Sequence, residues 1–257
     1  MTFSIPLPMV RRLELDLLRT LAIIGMIIYH TAYDLAVLYG WDIPVFEGGW
    51  WLLARGTASL FLLVAGVSFA VSWERRRRES KDAKESKDSW QEQYAHTAKR
   101  ALKILLCTLL ITLLTYAWDP HTYIRFGILH CIGIGLLILP FFTPLKELNG
   151  IIGIVVLTIE SIVTRIHPQT SLFLPIGLMP PDFTSVDYFP LLPWFGVMLI
   201  GYGIGHFFYV RNKQLFHTKY HIPNTTYQTL TWPGRHSLLI YMIHQPLIMA
   251  LLWLALG

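Results

Sequence analysis

About seven runs of mainly apolar residues, each near the ~20 that a helix needs to cross a bilayer, dominate this chain of 257 residues. They extend from about Leu13 to Leu38, Trp50 to Trp73, Ala98 to Trp118, Ile124 to Phe142, Gly150 to Arg165, Tyr188 to Tyr209 and His236 to Leu256. Hydrocarbon offers no water to backbone N–H and C=O groups, so such runs must satisfy their own hydrogen bonds as helices. The expected fold is all-α, a polytopic transmembrane helical bundle. It forms one membrane-embedded domain over residues 1–257 with a charged loop at 74–97. Composition agrees: 54% of residues are apolar and 14% charged, against roughly 25% charged in a soluble domain. Mean hydropathy is +0.48. A disordered chain is excluded and a soluble globule disfavoured. The fourth and fifth runs are short, and Pro140 with Pro144 ends the fourth.

The net charge of +5 reports orientation before it reports a partner, because the basic residues cluster in a few loops. One side receives Arg11, Arg12, Arg75 to Arg78, Lys81, Lys84, Lys87, Lys99, Arg100, Lys103, Lys146, Arg211, Lys213, Lys219 and Arg235. The other receives Arg55, Arg125 and Arg165. The basic side is therefore expected to be cytoplasmic, with the N terminus inside and the C terminus outside. Nothing suggests nucleic-acid binding. The polar stretch from Glu74 to Tyr94 reads as a solvated loop or a helix extension with Glu/Lys pairs. It serves either as a topology anchor or as a basic rim for an anionic cofactor or lipid heads. Asp16 and Arg19 lie inside the first run, and no small-residue cleavage site follows it, so it is read as a retained span. Cys107 and Cys131 sit in apolar runs without a Cys-x-x-Cys spacing and are read as free thiols. The outer loop from Ile166 to Asp187 carries Pro168, Pro175, Pro180 and Pro181 and is long for a connector, which suits a cover over an external cavity.

Polar groups in hydrocarbon are costly and point to function. The first run holds Asp16, Arg19, Tyr29, His30, Tyr33 and Asp34. Helical geometry puts Arg19 and His30 within about 20° of one face, some 16 Å apart along the axis. Asp34 follows His30 at i+4, a spacing at which a carboxylate orients an imidazole. The alternative is that the charged groups are interfacial and His30 is a satisfied core histidine. In the fourth run, Arg125 lies near the outer end and His130 about 8 Å deeper, a depth His30 is expected to share. The last run opens with Arg235 and His236 and carries His244 and Gln245 about 12 Å further in. His236, Ile240 and His244 form an i, i+4, i+8 stripe, but no trusted metal-ligand spacing emerges, and no metal is expected. Asp187 opens the sixth run either as a contact for a polar external substrate or as a helix cap.

Four blocks, RLELDLLRTLAIIGMIIYH, RFGILHCIGIG, DYFPLLPWFG and PGRHSLLIYMIHQP, occur in this order along the chain. Together they resemble the small bacterial membrane proteins classed with the catalytic domain of heparan-α-glucosaminide N-acetyltransferase. The first run is also similar to that of the acyltransferase-3 type, where an Arg and a His spaced like Arg19 and His30 are associated with acyl transfer. The resemblance implies a transmembrane acyltransferase. Acetyl-CoA would donate from the cytoplasm to a sugar-like hydroxyl or amine on the far side of a bacterial inner membrane. In the lysosomal relative the catalytic His lies in the loop after the first span. Here that loop, Tyr39 to Gly49, has no His, so either His30 takes the role or the chemistry differs. His244 matches a His of the family's final block, and His236 stands where the lysosomal enzyme has another polar residue.

These expectations assign His30 as general base or acetyl carrier, with Asp34 orienting it and His130 and His244 as further catalytic candidates. Arg19, Arg11, Arg12, Arg235 and His236 would meet the phosphates of CoA, for which arginine is suited. Arg125, Asp187, Tyr33 and Gln245 are candidate acceptor contacts. The expected partners are the acyl donor, the acceptor and membrane lipid, and a homodimer stays open. The rival class is a non-enzymatic transporter or sensor of small polar solutes, but neither an internal repeat nor matched helix interruptions are seen.

Overall fold

The computed structural model describes residues 12–82, 90–160, 165–211 and 224–257. In chain order the helices are α1 (Leu13–Val37), α2 (Gly48–Asp82), α3 (Trp90–Trp118), α4 (Ile128–Ile138), α5 (Asn149–Thr158), α6 (Leu191–Gly205), α7 (Asn224–Arg235) and α8 (Ser237–Leu256). A 3-10 segment, Leu139–Leu148, continues α4, a short 3-10 helix spans Ser171–Ile176, and a π-helical turn, His206–Arg211, continues α6. Among the described residues there is no strand, and the only extended pairing is an isolated parallel bridge between Phe126 and Tyr188. The chain is thus the all-α polytopic bundle expected.

Among the described residues, six stretches are long and apolar enough to cross a membrane: Leu13–Val37, Gly48–Glu79, Trp90–Trp118, Ile128–Thr158, Leu191–Arg211 and Ser237–Leu256. The count falls below seven because the predicted fourth and fifth runs join in Ile128–Thr158. That stretch is not one rod. Lys146, at φ 49° and ψ −125°, breaks it, and Pro140 opens the 3-10 segment before the break. On the near side of the break Gly135 lies against Met198, and the Tyr202 hydroxyl donates to Thr143 O at 3.3 Å. On the far side Gly150 lies against Gly203, and Gly153 against Ile200 and Gly196. Positions on α6 therefore climb along the first arm and descend along the second. The two arms are antiparallel, so the two runs read from sequence are separate segments of the bundle.

The chain divides into two compact units, one formed by Met1–Thr57 with Tyr220–Gly257, the other by Ala58–Lys219. In the first, α7 and α8 pack on α1. Thr20 Oγ1 lies 3.2 Å from Leu230 O and accepts from Gly234 N–H at 3.1 Å. Any side chain at Gly234 would strike the Asp16 carbonyl, so a glycine is needed for this approach. From there α8 runs alongside α1 in the same direction, bringing His244 to His30 and Gln245 to Asp34. Ala22, Ile23 and Met26 fill the inner face of α1, whereas Leu21, Ile24, Leu247, Leu251 and Leu254 face outward, as a lipid-facing surface requires.

In the second unit α6 is the core. Its sequence, LLPWFGVMLIGYGIG, is apolar on every side, and the helix is buried on every side from Pro193 to Leu199. Gly153 and Gly196 let α5 and α6 touch backbone to backbone. One end of the unit gathers basic groups. Arg78 donates to Val210 O at 3.3 Å, and Arg211 lies 3.7 Å and His206 3.2 Å from Glu147. Here α2 continues as a helix through Asp82, with Arg75–Glu79 and Glu74–Arg78 pairs at i,i+4. The polar stretch thus begins as a helix extension; residues 83–89 lie outside the described residues.

Candidate active site

Within the first unit, two pairs of side chains join α1 to α8. The rings of His30 and His244 meet edge-on, with centroids 4.9 Å apart. One turn further along α1, the Asp34 carboxylate accepts from Gln245 Nε2 at 2.7 and 2.9 Å. Asp34 is 1% exposed, and Gln245 is its only side-chain donor among the described residues. The i+4 spacing therefore stacks Asp34 near His30 without bonding them. The carboxylate turns to the neighbouring helix, because an amide there presents two N–H groups and the neutral imidazole only one.

His244 is buried, and its Nδ1 lies 2.7 Å from the Tyr241 carbonyl. A carbonyl only accepts, so Nδ1 carries the proton and Nε2 keeps a lone pair. That Nε2 is buried with no hydrogen-bond partner among the described residues, and Gln245 Oε1 is in the same condition. Tyr33 lines the neighbouring part of α1, in edge contact with Phe46 at 5.9 Å. Sequence reasoning did not find Tyr241. Its role is a backbone carbonyl three residues before His244, and no side-chain pattern records that.

The candidate donor-binding residues gather toward the other end of α1. Arg19 is tied to Asp16 on its own helix. Gly234 lies against Asp16, so Arg235 and His236, both exposed, follow at the α7–α8 junction. Here His236 Nδ1 lies 2.9 Å from Trp232 O. Arg12 stands immediately before α1, and Arg11 lies outside the described residues. Eleven residues at helical rise separate Arg19 from His30, about 16 Å, and eight separate His236 from His244, about 12 Å.

The other predicted residues belong to the second unit. His130 Nδ1 accepts from Gly127 N–H at 3.1 Å, so its Nε2 carries the proton and faces Thr112 Oγ1 at 3.3 Å. Thr112 in turn donates to Ile124 O at 2.8 Å. Asp187 Oδ2 accepts from Ile128 N–H at 3.2 Å, placing a carboxylate at the start of α4 rather than at the start of its own helix. Arg125 lies over the rings of Tyr123 and Phe183. Nearby, the Tyr188 hydroxyl donates to Leu174 O at 2.8 Å, and burial pushes its pKa up to about 12. Cys107 and Cys131 are free thiols. No cluster of three or more His, Cys, Asp or Glu side chains suited to a metal occurs among the described residues.

The family model for "Heparan-alpha-glucosaminide N-acetyltransferase, catalytic" matches residues 11–246. The chain belongs to this family. The resemblance carried by the four sequence blocks is thereby confirmed, and the match spans α1 to Pro246 of α8, taking in both imidazoles of the first unit. Nothing among curated proteins or solved structures matches the chain. As a member of the heparan-alpha-glucosaminide N-acetyltransferase catalytic family with six membrane-length apolar helices among the described residues, it is an integral-membrane protein of an acetyltransferase family.

Proposed function

We propose that this protein moves an acetyl group from cytoplasmic acetyl-CoA to a sugar-like hydroxyl or amine, using the His30–His244 pair in a bacterial inner membrane. One observation carries the reading. His244 holds its proton on the nitrogen facing the Tyr241 carbonyl and leaves a buried, unpartnered Nε2 beside His30. A lone pair kept from water next to a second imidazole is what a base or an acetyl carrier needs.

Acetyl-CoA enters as a substrate. Arg12, Arg19, Arg235 and His236 supply cationic and N–H groups at one end of α1, which fits the phosphates of such a donor. The distance from there to the imidazoles suits a long pantetheine arm. The acceptor O–H or N–H attacks the thioester carbonyl carbon, and its proton passes to an imidazole nitrogen of the pair. The C–S bond breaks, and the thiolate leaves as the CoA thiol with the proton that the imidazolium returns. If His30 carries the acetyl group first, its nitrogen attacks the thioester carbon, the C–S bond breaks and the proton released by the His30 ring passes through His244 to the departing thiolate. The acceptor then attacks the acetyl carbon, the bond to His30 breaks, and the acceptor's proton returns to the His30 ring. A thioester is already activated, so positioning and proton transfer supply most of the catalysis. In this reading Asp34 and Gln245 are positioning residues that hold α1 against α8. His130 and Asp187 act as positioning residues for the loops of the second unit, because their polar atoms are engaged there.

The test is release of CoA thiol in proteoliposomes given acetyl-CoA with glucosamine or glucose as acceptor. His30→Ala and His244→Ala should each lower turnover by roughly 10²–10⁴-fold while the protein stays folded. Wild-type turnover in folded His30→Ala removes that residue from the chemistry, and wild-type turnover in both variants removes the proposal.

A further inference from the structure

At one end of the second unit, two connectors are laced into a platform. Val186 N–H donates to Thr122 O at 2.8 Å and Phe189 N–H to Phe126 O at 2.9 Å. Thr184 Oγ1 donates to His121 O at 3.1 Å, Ser185 Oγ lies 3.0 Å from Tyr123 O, and Phe126 pairs with Tyr188 in a parallel bridge. Asp187 on Ile128 N–H and His130 on Gly127 N–H anchor the platform to the start of α4. The backbone around residue 125 is therefore fixed on both sides.

Arg125 stands in the middle of this platform. Its guanidinium carbon lies 4.8 Å from the Tyr123 ring centroid and 5.2 Å from that of Phe183, and Phe183 is braced in turn by Tyr188 at 4.8 Å. Two π faces hold a cation in place without using its N–H donors. Its Nε is buried and has no hydrogen-bond partner among the described residues, and no carboxylate there forms an ion pair with it. Of the acids at the platform two are engaged elsewhere, and Asp182, exposed beside Phe183, makes no ion pair with Arg125 among the described residues. Asp187 serves α4, and Asp119 accepts from His121 N–H at 2.9 Å and Thr122 Oγ1 at 2.6 Å. Nor does topology explain the arginine, because by charge count this is the basic-poor side.

A fixed, partly buried guanidinium with its donors unspent is complementary to an anionic oxygen group, which can take two parallel N–H bonds from it. We propose that Arg125, clamped by Tyr123 and Phe183, is a binding site for such a group, a carboxylate or a phosphate, presented at this end of the second unit. The inference concerns this unit alone and does not depend on acetyl transfer. The group has two sources, a soluble carboxylate-bearing solute or the phosphate of an anionic lipid.

The purified full-length chain in dodecyl maltoside, a neutral phosphate-free detergent, is titrated separately with glucuronate, short-chain phosphatidylglycerol and glucose, and its melting temperature is followed. Glucuronate or phosphatidylglycerol should raise the melting temperature saturably, and whichever does so names the source; glucose should not. Arg125→Gln should abolish the shift, and Arg125→Lys, which keeps the charge and loses the fork, should weaken apparent affinity by about tenfold. If neither anion shifts the wild type, or if Arg125→Gln responds like wild type, the site does not exist. Should Arg125→Gln fail to fold, Arg125→Lys decides: unchanged affinity overturns the proposal.

Discussion

The bond between Asp34 and Gln245 makes the sharpest stability prediction, because the carboxylate is 1% exposed and Gln245 Nε2 is its only side-chain donor among the described residues. Replacing Gln245 with Leu keeps the apolar volume and removes the donor. Two magnitudes compete. Cross-helix hydrogen bonds inside membranes average only ~0.6 kcal/mol, with a maximum near ~1.7, because the unfolded chain finds other partners in the bilayer. Leaving a buried polar group unsatisfied costs ~1–3 kcal/mol, and more when it is charged. The second term governs here, since water reaches Asp34 hardly at all, and the expected loss is about 2 kcal/mol. That is roughly a thirtyfold change in the folding equilibrium, or a melting temperature lower by about 4–8 °C for a chain of this size. Asp34→Asn retains an amide oxygen to accept from Gln245 and should lose less than about 1 kcal/mol. The double variant Asp34→Leu with Gln245→Leu removes both polar groups, so its loss should fall short of the summed single losses by at least about 1 kcal/mol. Unfolding in dodecyl maltoside, by heat or by added dodecyl sulfate, measures all of these. If Gln245→Leu stays within about 0.5 kcal/mol of wild type, or if the double variant is additive, Asp34 is not held as described.

Two further outcomes follow from the second unit. His130→Ala strands the Gly127 N–H and frees Thr112, so it should lower stability by about 1–3 kcal/mol while turnover per folded molecule stays within a fewfold of wild type; a loss of 10²-fold or more at full folding would make His130 a participant in the chemistry. Asp119 is held below the usual carboxylate range, first by the Thr122 hydroxyl and then by the His121 N–H. Its contribution is therefore present above the unfolded carboxylate pKa and lost as pH falls through the folded one, so melting curves of wild type and Asp119→Asn should converge below about pH 4.

Much of the fold was legible because the bilayer imposes a coarse code. Apolar length gave the helices, and Pro140 with Pro144 gave the interruption that the Lys146 break completes. α7 was not legible. Its sequence, NTTYQTLTWPGR, is polar, closes on Pro-Gly-Arg and belongs to none of the apolar runs. It is a helix because Thr20 and the bare backbone at Gly234 dock it on α1. The candidate site shows the same boundary. Spacing along single helices nominated His30, Asp34, His244 and Gln245, but the side chain that each meets lies on the other helix. Helical periodicity says which face a residue shares and not which neighbour occupies that face. Hence Asp34 was matched to His30 by i+4 geometry, whereas the structure gives it Gln245.

The contrast between His130 and His244 shows how one reversed hydrogen bond separates an imidazole with both nitrogens engaged from one with a nitrogen left over. Both rings engage the backbone through Nδ1. At His130 the backbone group is the Gly127 N–H, so Nδ1 accepts, Nε2 must donate, and Thr112 with the Ile124 carbonyl closes the circuit. No nitrogen is left over, and a proton arriving there would break a bond already made. At His244 the backbone group is the Tyr241 carbonyl, so Nδ1 donates and Nε2 must accept. No described group donates to it, and the neighbouring ring is His30. A proton arriving there breaks no bond already made. Sequence ranks the two histidines alike, each set in an apolar run. The direction of the bond at Nδ1 ranks them apart, and it is why the proposed function gives proton transfer to the first unit and scaffolding to the second.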